Sequence, residues 1–419
     1  MKYNVPTSRA RWGLMAKDFE TGVNYDRLRR ERFAKAQAAV KAAGLGAVLA
    51  FDMVNIRYIT STYIGDIMRD HLGHYCLCPQ EGEAYLFDPA VPAKRISCPW
   101  MGDRMEPPIS SLQGALGPEM GYEKRFAEQV KRVLTNYGVE KKPLGVDMSL
   151  IPMLRALEKI GITVVDGQQA MLDAREIKTP DEIEIMKQCT AITDAVHEDI
   201  ARAIRPGTKE SDIVALANYT FFKFGVERVG LVQCVSGPRG LPHSHTPADR
   251  IIQPGDIVFV DPLATFMGYR NCYYRCFCCG KPNKYQEEAY EKASKWLNSA
   301  INAVKPGVTT SDVAALWPKA EEFGYRNEDE AFLQQYGHGI GMSGWERPII
   351  SRRFIDHPVN IKEGMVIALE TWCGAEDGSG AARIEEEVLV TKNGCEIITN
   401  YPSDHLISCG LPGCEAYSN

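Results

Sequence analysis

The nine residues Arg205-Pro206-Gly207-Thr208-Lys209-Glu210-Ser211-Asp212-Ile213 come back one hundred residues later as Lys305-Pro306-Gly307-Val308-Thr309-Thr310-Ser311-Asp312-Val313. Each copy follows a helical-looking segment, turns on Pro-Gly, and restarts a helix with Ser or Thr in a capping position before the acid. Farther along, each copy leads into an apolar strand that reaches a carboxylate six positions after a glycine: Gly255 to Asp261, and Gly364 to Glu370. The pattern predicts a duplicated half-domain of helix, turn, helix and strand. Two such halves related by a pseudo-twofold would bring Asp261 and Glu370 toward one centre, an arrangement that suits metal binding or acid/base work. A lone acid at a solvated strand end would carry no such weight; the pair does.

At 419 residues the chain has room for two domains. The amino-terminal part alternates elements. An amphipathic helix over 25–43 stops at Gly44, the strand Ala47–Phe51 and the apolar segment 55–60 follow, and strands are read at 75–78, 84–87, 144–147 and 162–165. Helices over 123–137 and 150–160 complete an α/β domain assigned to 1–172. Thr179 as N-cap with Pro180 behind it opens a long helix, and the duplicated domain takes 173–419. A net charge of -6 with no dense basic stripe excludes a nucleic-acid or anionic-membrane partner as the default and leaves small-molecule chemistry. The charged amino terminus lacks the apolar core of a signal peptide, so a cytoplasmic location is expected. Thirteen cysteines, an odd number, read as reduced thiols. Cys276, Cys278 and Cys279 lack knuckle spacing and read as strand packing rather than a zinc site.

Chemistry-bearing residues gather in the second half. Gly337-His338-Gly339-Ile340-Gly341 frames an imidazole with glycines, which lets a ligand approach closely. Arg383-Ile384-Glu385-Glu386-Glu387-Val388 reads as a strand in which Glu385 and Glu387 share one face and Glu386 takes the other. His243 and His245 occupy a loop ahead of the Asp261 strand, and either could face a substrate. Trp345 and Glu346 follow His338 closely enough to line the same cavity.

These pieces, together with REIKTPDEIEIM, SGPRGLPH, PGDIVFVD, EGMVIALE and RIEEEVLVT in that order over roughly 174–400, resemble the pita-bread superfamily of methionine aminopeptidase, prolidase, aminopeptidase P and creatinase. The first half resembles the amino-terminal domain of its creatinase and prolidase branch, and across both domains the likeness extends to the dimethylsulfoniopropionate lyases. The resemblance implies an α+β fold: a pita-bread catalytic domain of duplicated ααβ halves behind a smaller α/β domain. In the family's metallopeptidases two metals are held by two Asp, one His and two Glu. Asp261, His338, Glu370 and Glu385 match four of these, and the second Asp, eleven residues after the first, is Cys272 here.

That departure leaves three readings of the cofactor: one divalent transition metal (Fe, Zn or Mn) on His338, Glu370 and Glu385 with Cys272 or Asp261, the family's pair, or none. By likeness to creatinase, His243 would shuttle a proton while Glu370 and Glu385 hold the substrate or its attacking water, with His338 also in the catalytic set. Trp345 and Gly344 stand where the peptidases carry a His and the lyases an Asp. Trp345, Tyr269, Tyr273 and Tyr274 would offer a cation-π surface, and Glu346 a further contact. The expected activity is hydrolysis of a C–N bond in a small cationic or zwitterionic compound. A C–S lyase, an Xaa-Pro dipeptidase and a non-catalytic binding module are the alternatives. A homodimer is expected, with Arg57 and the 63–75 loop reaching into the other chain's cleft.

Overall fold

The computed structural model describes residues 22–63, 65, 72–242, 244–331 and 336–410. The chain forms two compact units, Asn24–Glu176 and a second that takes Val23 and the described residues from Ile177 onward. In the first, strands β1 (Ala47–Ala50), β2 (Tyr75–Pro79), β3 (Tyr85–Phe87), β4 (Met105–Glu106), β5 (Leu144–Val146) and β6 (Val164–Asp166) form one mixed sheet in the order β4-β3-β2-β1-β5-β6. Helices α1 (Tyr25–Ala42), α2 (Met53–Thr60), α3 (Val91–Ser97), α4 (Tyr122–Asn136), α5 (Ile151–Lys159) and α6 (Gln168–Glu176) accompany it. The segment 55–60 belongs to α2, because Asp52 caps it: the Asp52 carboxylate accepts from the N–H groups of Val54 and Asn55. Phe126, Ala127, Val130, Val133 and Leu134 form the buried face of α4, and Phe126 packs edge-on against Tyr75.

The second unit contains α7 (Pro180–Ala203), α8 (Glu210–Lys223), β7 (Arg228–Ser236), β8 (Ile257–Phe266), β9 (Tyr269–Arg270), β10 (Arg275–Cys279), α9 (Lys284–Ala303), α10 (Thr310–Ala314), β11 (Gly337–Gly339), β12 (Glu346–Ile350), β13 (Val366–Gly374), β14 (Ala381–Val390), β15 (Cys395–Ile397) and β16 (Ile407–Cys409). Two five-stranded sheets result. One runs β16-β10-β8-β7 with β9 paired to β8, the other β12-β11-β13-β14-β15. Leu297, Trp317, Ile367, Leu369 and Ile384 belong to one apolar cluster and Val196, Phe221, Val258 and Phe277 to another. The described cysteines are free thiols, and Cys276, Cys278 and Cys279 are buried in β10. No helix among the described residues is long and apolar enough to cross a membrane.

The duplication is physical as well as textual. Gly207 and Gly307 both turn with positive φ, at 96° and 89°. Behind them the chain makes the same bonds twice: Ile252 N–H donates to Thr208 O and Ile361 N–H to Val308 O, both at 2.8 Å. Lys209 bridges Ile251 as Thr309 bridges Asn360. Two details differ from expectation, and the tail adds a strand. Only the second copy has a hydroxyl N-cap, Thr309; in the first the N-cap is Lys209, and Asp212 alone closes back on its N–H. The tail contributes β16, which pairs in parallel with β10 because Ile407 and Cys409 have buried positions to fill. The two acids lie within their strands rather than at the ends, since β8 runs on to Phe266 and β13 to Gly374 through continued pairing with β7 and β14. A solvated strand end therefore cannot explain either one.

One buried histidine makes the fold acid-sensitive. His197 on α7 is packed among the rings of Tyr273, Phe277 and Tyr401. Burial, aided by the Arg275 charge, lowers its pKa from 6.5 to about 3. Above pH 6.5 it is neutral in both states and contributes no pH dependence. Below that the unfolded chain takes a proton that the folded chain refuses, so stability falls by about 2 kcal/mol on reaching pH 5. His197→Phe is expected to remove that contribution, read as a smaller fall in urea midpoint between pH 7 and pH 5 in the variant than in wild type.

Candidate metal centre

The pairing of β13 with β14 sets Glu370 directly opposite Glu385, and two residues along it sets Ala368 opposite Glu387. On its other side Ala368 faces His338 of β11. Because side chains alternate along a strand, Arg383, Glu385 and Glu387 point to one face. Glu386 points to the other, where both its oxygens pair with Arg275 at 3.0 and 2.9 Å. Asp261 on β8 lies opposite Gln233 of β7, whose amide donates to Asp261 Oδ2 at 3.0 Å. Cys272 lies between β9 and β10, with its backbone N–H donating to Glu387 Oε1 at 2.6 Å.

The glycines around His338 are steric requirements. A Cβ on Gly337 would stand 2.8 Å from the Ala368 carbonyl oxygen, and one on Gly339 2.0 Å from that of Arg347. The register of β11 on β12 slips between His338 and Gly339, which draws the two backbones together at that point. Gly339→Ala is expected to cost about 3 kcal/mol and to displace His338, read as a fall in melting temperature together with lost metal uptake.

One ligand atom each from Cys272, His338 and Glu385 lies within 4.8 Å of the others. All three residues are buried. His338 Nδ1 donates to Gly339 O at 3.1 Å, which leaves Nε2 as the lone-pair nitrogen. Burial holds the His338 pKa at about 4, so the ring is neutral near pH 7. Burial pushes Asp261 and Glu370 up to about 7, with the Arg383 charge opposing it in both; at Glu370 the Tyr274 hydroxyl, 2.8 Å from Oε2, opposes it more strongly. Glu385 is raised well above the carboxylate range by burial and then by the charges of Glu370 and Asp261. The Cys272 thiol also favours its ionised form slightly, without completing a hydrogen bond to either oxygen. Cys272 itself is raised well above the thiol range, again chiefly by burial.

Both oxygens of Glu385, Oδ1 of Asp261 and Oε2 of Glu387 are buried without a hydrogen-bond partner. Unpaired buried carboxylate oxygens are expensive unless a cation faces them. With a neutral imidazole and a thiol in reach, the donor set fits a divalent transition metal.

The other sequence-derived residues are distributed unevenly. Trp345 is 56% exposed, and its ring meets His338 edge-on with centroids 6.1 Å apart. Glu346 is buried, with Oε2 bonded to Lys178 Nζ at 3.0 Å and Oε1 to the Ser343 N–H at 3.1 Å. Tyr269 donates to Glu182 Oε1 at 2.9 Å and Tyr273 to Asp194, so of the three tyrosines Tyr274 alone bonds to a carboxylate of the centre. Arg57 belongs to the first unit, where its guanidinium lies over the ring of Tyr63. His243 falls outside the described residues. His245, in the same loop, is held at about 4 by burial and by the Arg383 charge.

Sequence reasoning overlooked Gln233 and Arg383. Arg383 is buried, lies over the rings of Phe259 and Tyr274, and donates to Ser244 O at 3.3 Å. Strand alternation already placed it on the face of Glu385. Gln233 gave no signal, because its pairing with Asp261 depends on the β7–β8 register.

The sequence pattern of Metallopeptidase family M24 matches residues 184–392. The chain is 26% identical over 411 residues to dimethylsulfoniopropionate lyase DddP of Roseovarius nubinhibens, covering 90% of this chain and 87% of that one. It is 34% identical over 230 residues to the Xaa-Pro dipeptidase of Pyrococcus furiosus, spanning 54% of this chain and 64% of the dipeptidase. Among solved structures, the Xaa-Pro dipeptidase from Bacillus anthracis superimposes with a TM-score of 0.72 at 23% identity, over 91% of this chain and 99% of that one. The prolidase from Pyrococcus horikoshii also gives 0.72, at 24% identity over 90% and 100%. A lyase and a dipeptidase both align with this chain, and the acids and imidazole matched to the family come together here in its duplicated domain: the chain belongs to the pita-bread superfamily of Metallopeptidase family M24.

Proposed function

We propose that the protein is a hydrolase that cleaves a C–N bond in a small polar compound, cationic or zwitterionic, at the centre built on β8, β11, β13 and β14. The observation that carries this reading is the group of buried acids, Asp261, Glu370 and Glu385, gathered around His338 and Cys272 with carboxylate oxygens left unpaired. A pure binding scaffold has no reason to retain so costly a group. Cys272, His338 and Glu385 would hold a divalent metal, with Asp261 and Glu370 bordering it. Bound there, the metal supplies Lewis-acid polarisation and lowers the pKa of water.

The chain's own groups do the rest. The Tyr274 hydroxyl fixes Glu370 through Oε2, orienting that carboxylate to take a proton from the attacking water. Glu385, opposite it, favours a positively charged substrate. Arg383, on the same strand face, offers a counter-charge to the acidic end of a zwitterion, and the exposed Trp345 ring offers a cation-π surface at the rim. The loop of His243 and His245 would return the proton to the leaving amine. The enzyme acts as a cytoplasmic homodimer on this reading, with Arg57 contributed by the partner subunit, and sedimentation should give twice the chain mass.

The test is an amine-release assay over a panel of N-substituted small zwitterions, guanidino compounds and Xaa-Pro dipeptides, with dimethyl sulfide release from a sulfonium substrate run in parallel. Amine release from non-peptide compounds supports the proposal. Turnover confined to Xaa-Pro dipeptides would replace it with the dipeptidase reading. The second reading, elimination across a C–S bond, is favoured by the 26% identity to the lyase across 90% of the chain, and release of dimethyl sulfide with the matching alkene, without amine release from the panel, would establish it.

A further inference from the structure

The ligand set differs from that of a carboxylate-bridged pair of metals, and the difference lies in one side chain. A bridging carboxylate offers two oxygens to two cations; a thiolate offers one soft sulfur. Cys272 is fixed in place, since its backbone N–H is bonded to Glu387 Oε1 at 2.6 Å. Its sulfur lies within 4.8 Å of ligand atoms of both His338 and Glu385. Glu385 is fully buried and neither of its oxygens has a hydrogen-bond partner, so it is aimed at a ligand rather than at protein.

The two remaining acids matched to the family border this triad, and each has one oxygen engaged by protein. Asp261 is tied through Oδ2 to the Gln233 amide at 3.0 Å, and Glu370 through Oε2 to the Tyr274 hydroxyl at 2.8 Å. Neutral donors thus occupy one oxygen of each acid that a second cation would need.

We propose that the centre takes one soft divalent metal per chain, zinc or iron(II) in preference to manganese, with the Cys272 sulfur as a ligand, and that it has no second metal position. Binding releases the thiol proton to solvent and leaves a sulfur, a nitrogen and a carboxylate oxygen on the ion. This inference is independent of which bond the enzyme cleaves.

The experiment is metal analysis of full-length protein loaded in turn with zinc, cobalt(II) and manganese(II), with the near-ultraviolet spectrum of the cobalt form. Wild type is expected to retain one zinc or cobalt per chain after gel filtration, to lose manganese, and to show sulfur-to-cobalt charge transfer. Cys272→Ser should lose the sulfur band, and Cys272→Asp should regain a second equivalent and bind manganese. Circular dichroism checks that both variants are folded, and the wild-type stoichiometry and spectrum stand without them. Two equivalents in wild type, no uptake, one equivalent without a sulfur band, or a band that persists in Cys272→Ser would each overturn the inference. Since no readout is turnover, failure here is distinguishable from failure of the C–N assignment.

Discussion

Arg275→Ala is expected to destabilise the second unit by about 3–5 kcal/mol at pH 7, a large share of the roughly 5–15 kcal/mol that holds a typical domain folded. Arg275 is among the largest fully buried side chains. Its guanidinium bonds both oxygens of Glu386 and the carbonyl oxygens of Tyr274, Glu385, Tyr401 and Pro402, and it lies over the Tyr273 ring. Removing it strands a buried carboxylate that keeps only the Thr399 hydroxyl, and also strands several carbonyls. The desolvation term, not the lost attraction, dominates that cost. Urea unfolding of Arg275→Ala and of Arg275→Met/Glu386→Leu separates the two. The double variant should regain most of the loss because no unpaired charge remains. A single variant within about 1 kcal/mol of wild type would show that the pair is not a structural anchor.

Glu385→Gln should have the opposite signature: turnover reduced roughly 10^3-fold with a metal-free melting temperature equal to or above that of wild type. In the native chain Glu385 is fully buried beside Glu370 and Asp261, with both oxygens unpaired. Without a metal, burial and the neighbouring acids force the Glu385 carboxyl to take up a proton on folding, a cost that an uncharged amide of the same shape avoids. Stability given up at a functional site is recovered when the function is removed. Thermal melts and steady-state kinetics on one preparation check both halves. A variant that lost stability along with activity would mean that Glu385 is part of the framework.

The contrast between these adjacent positions shows how far the sequence could be read. Period-two alternation in Arg383–Val388 separated Glu385 and Glu387 from Glu386, and the internal repeat identified Asp261 and Glu370 as equivalents. Both inferences rest on local periodicity, which sequence carries. The resemblance to a family supplied the role of His338 and the oddity at Cys272. What remained illegible depends on distant register. Nothing local in Gln233 announces its bond to Asp261, and nothing in Glu346 announces that Lys178, 168 positions away, is bonded to it deep in the unit. Tyr269 and Tyr273 looked like partners of Tyr274, but the course of α7 brings Glu182 and Asp194 to their hydroxyls instead. Short strands also depend on their neighbours. Ile407–Cys409 is a strand only because β10 presents a free edge.

Turnover is expected to depend on a metal held by Cys272, His338 and Glu385. The most direct test is to strip the purified protein with a chelator, assay the substrate found by the amine-release panel, and titrate zinc back. Turnover should disappear with the metal, return in proportion to zinc, and resist restoration in His338→Ala. Full turnover by protein that contains no measurable metal would contradict it.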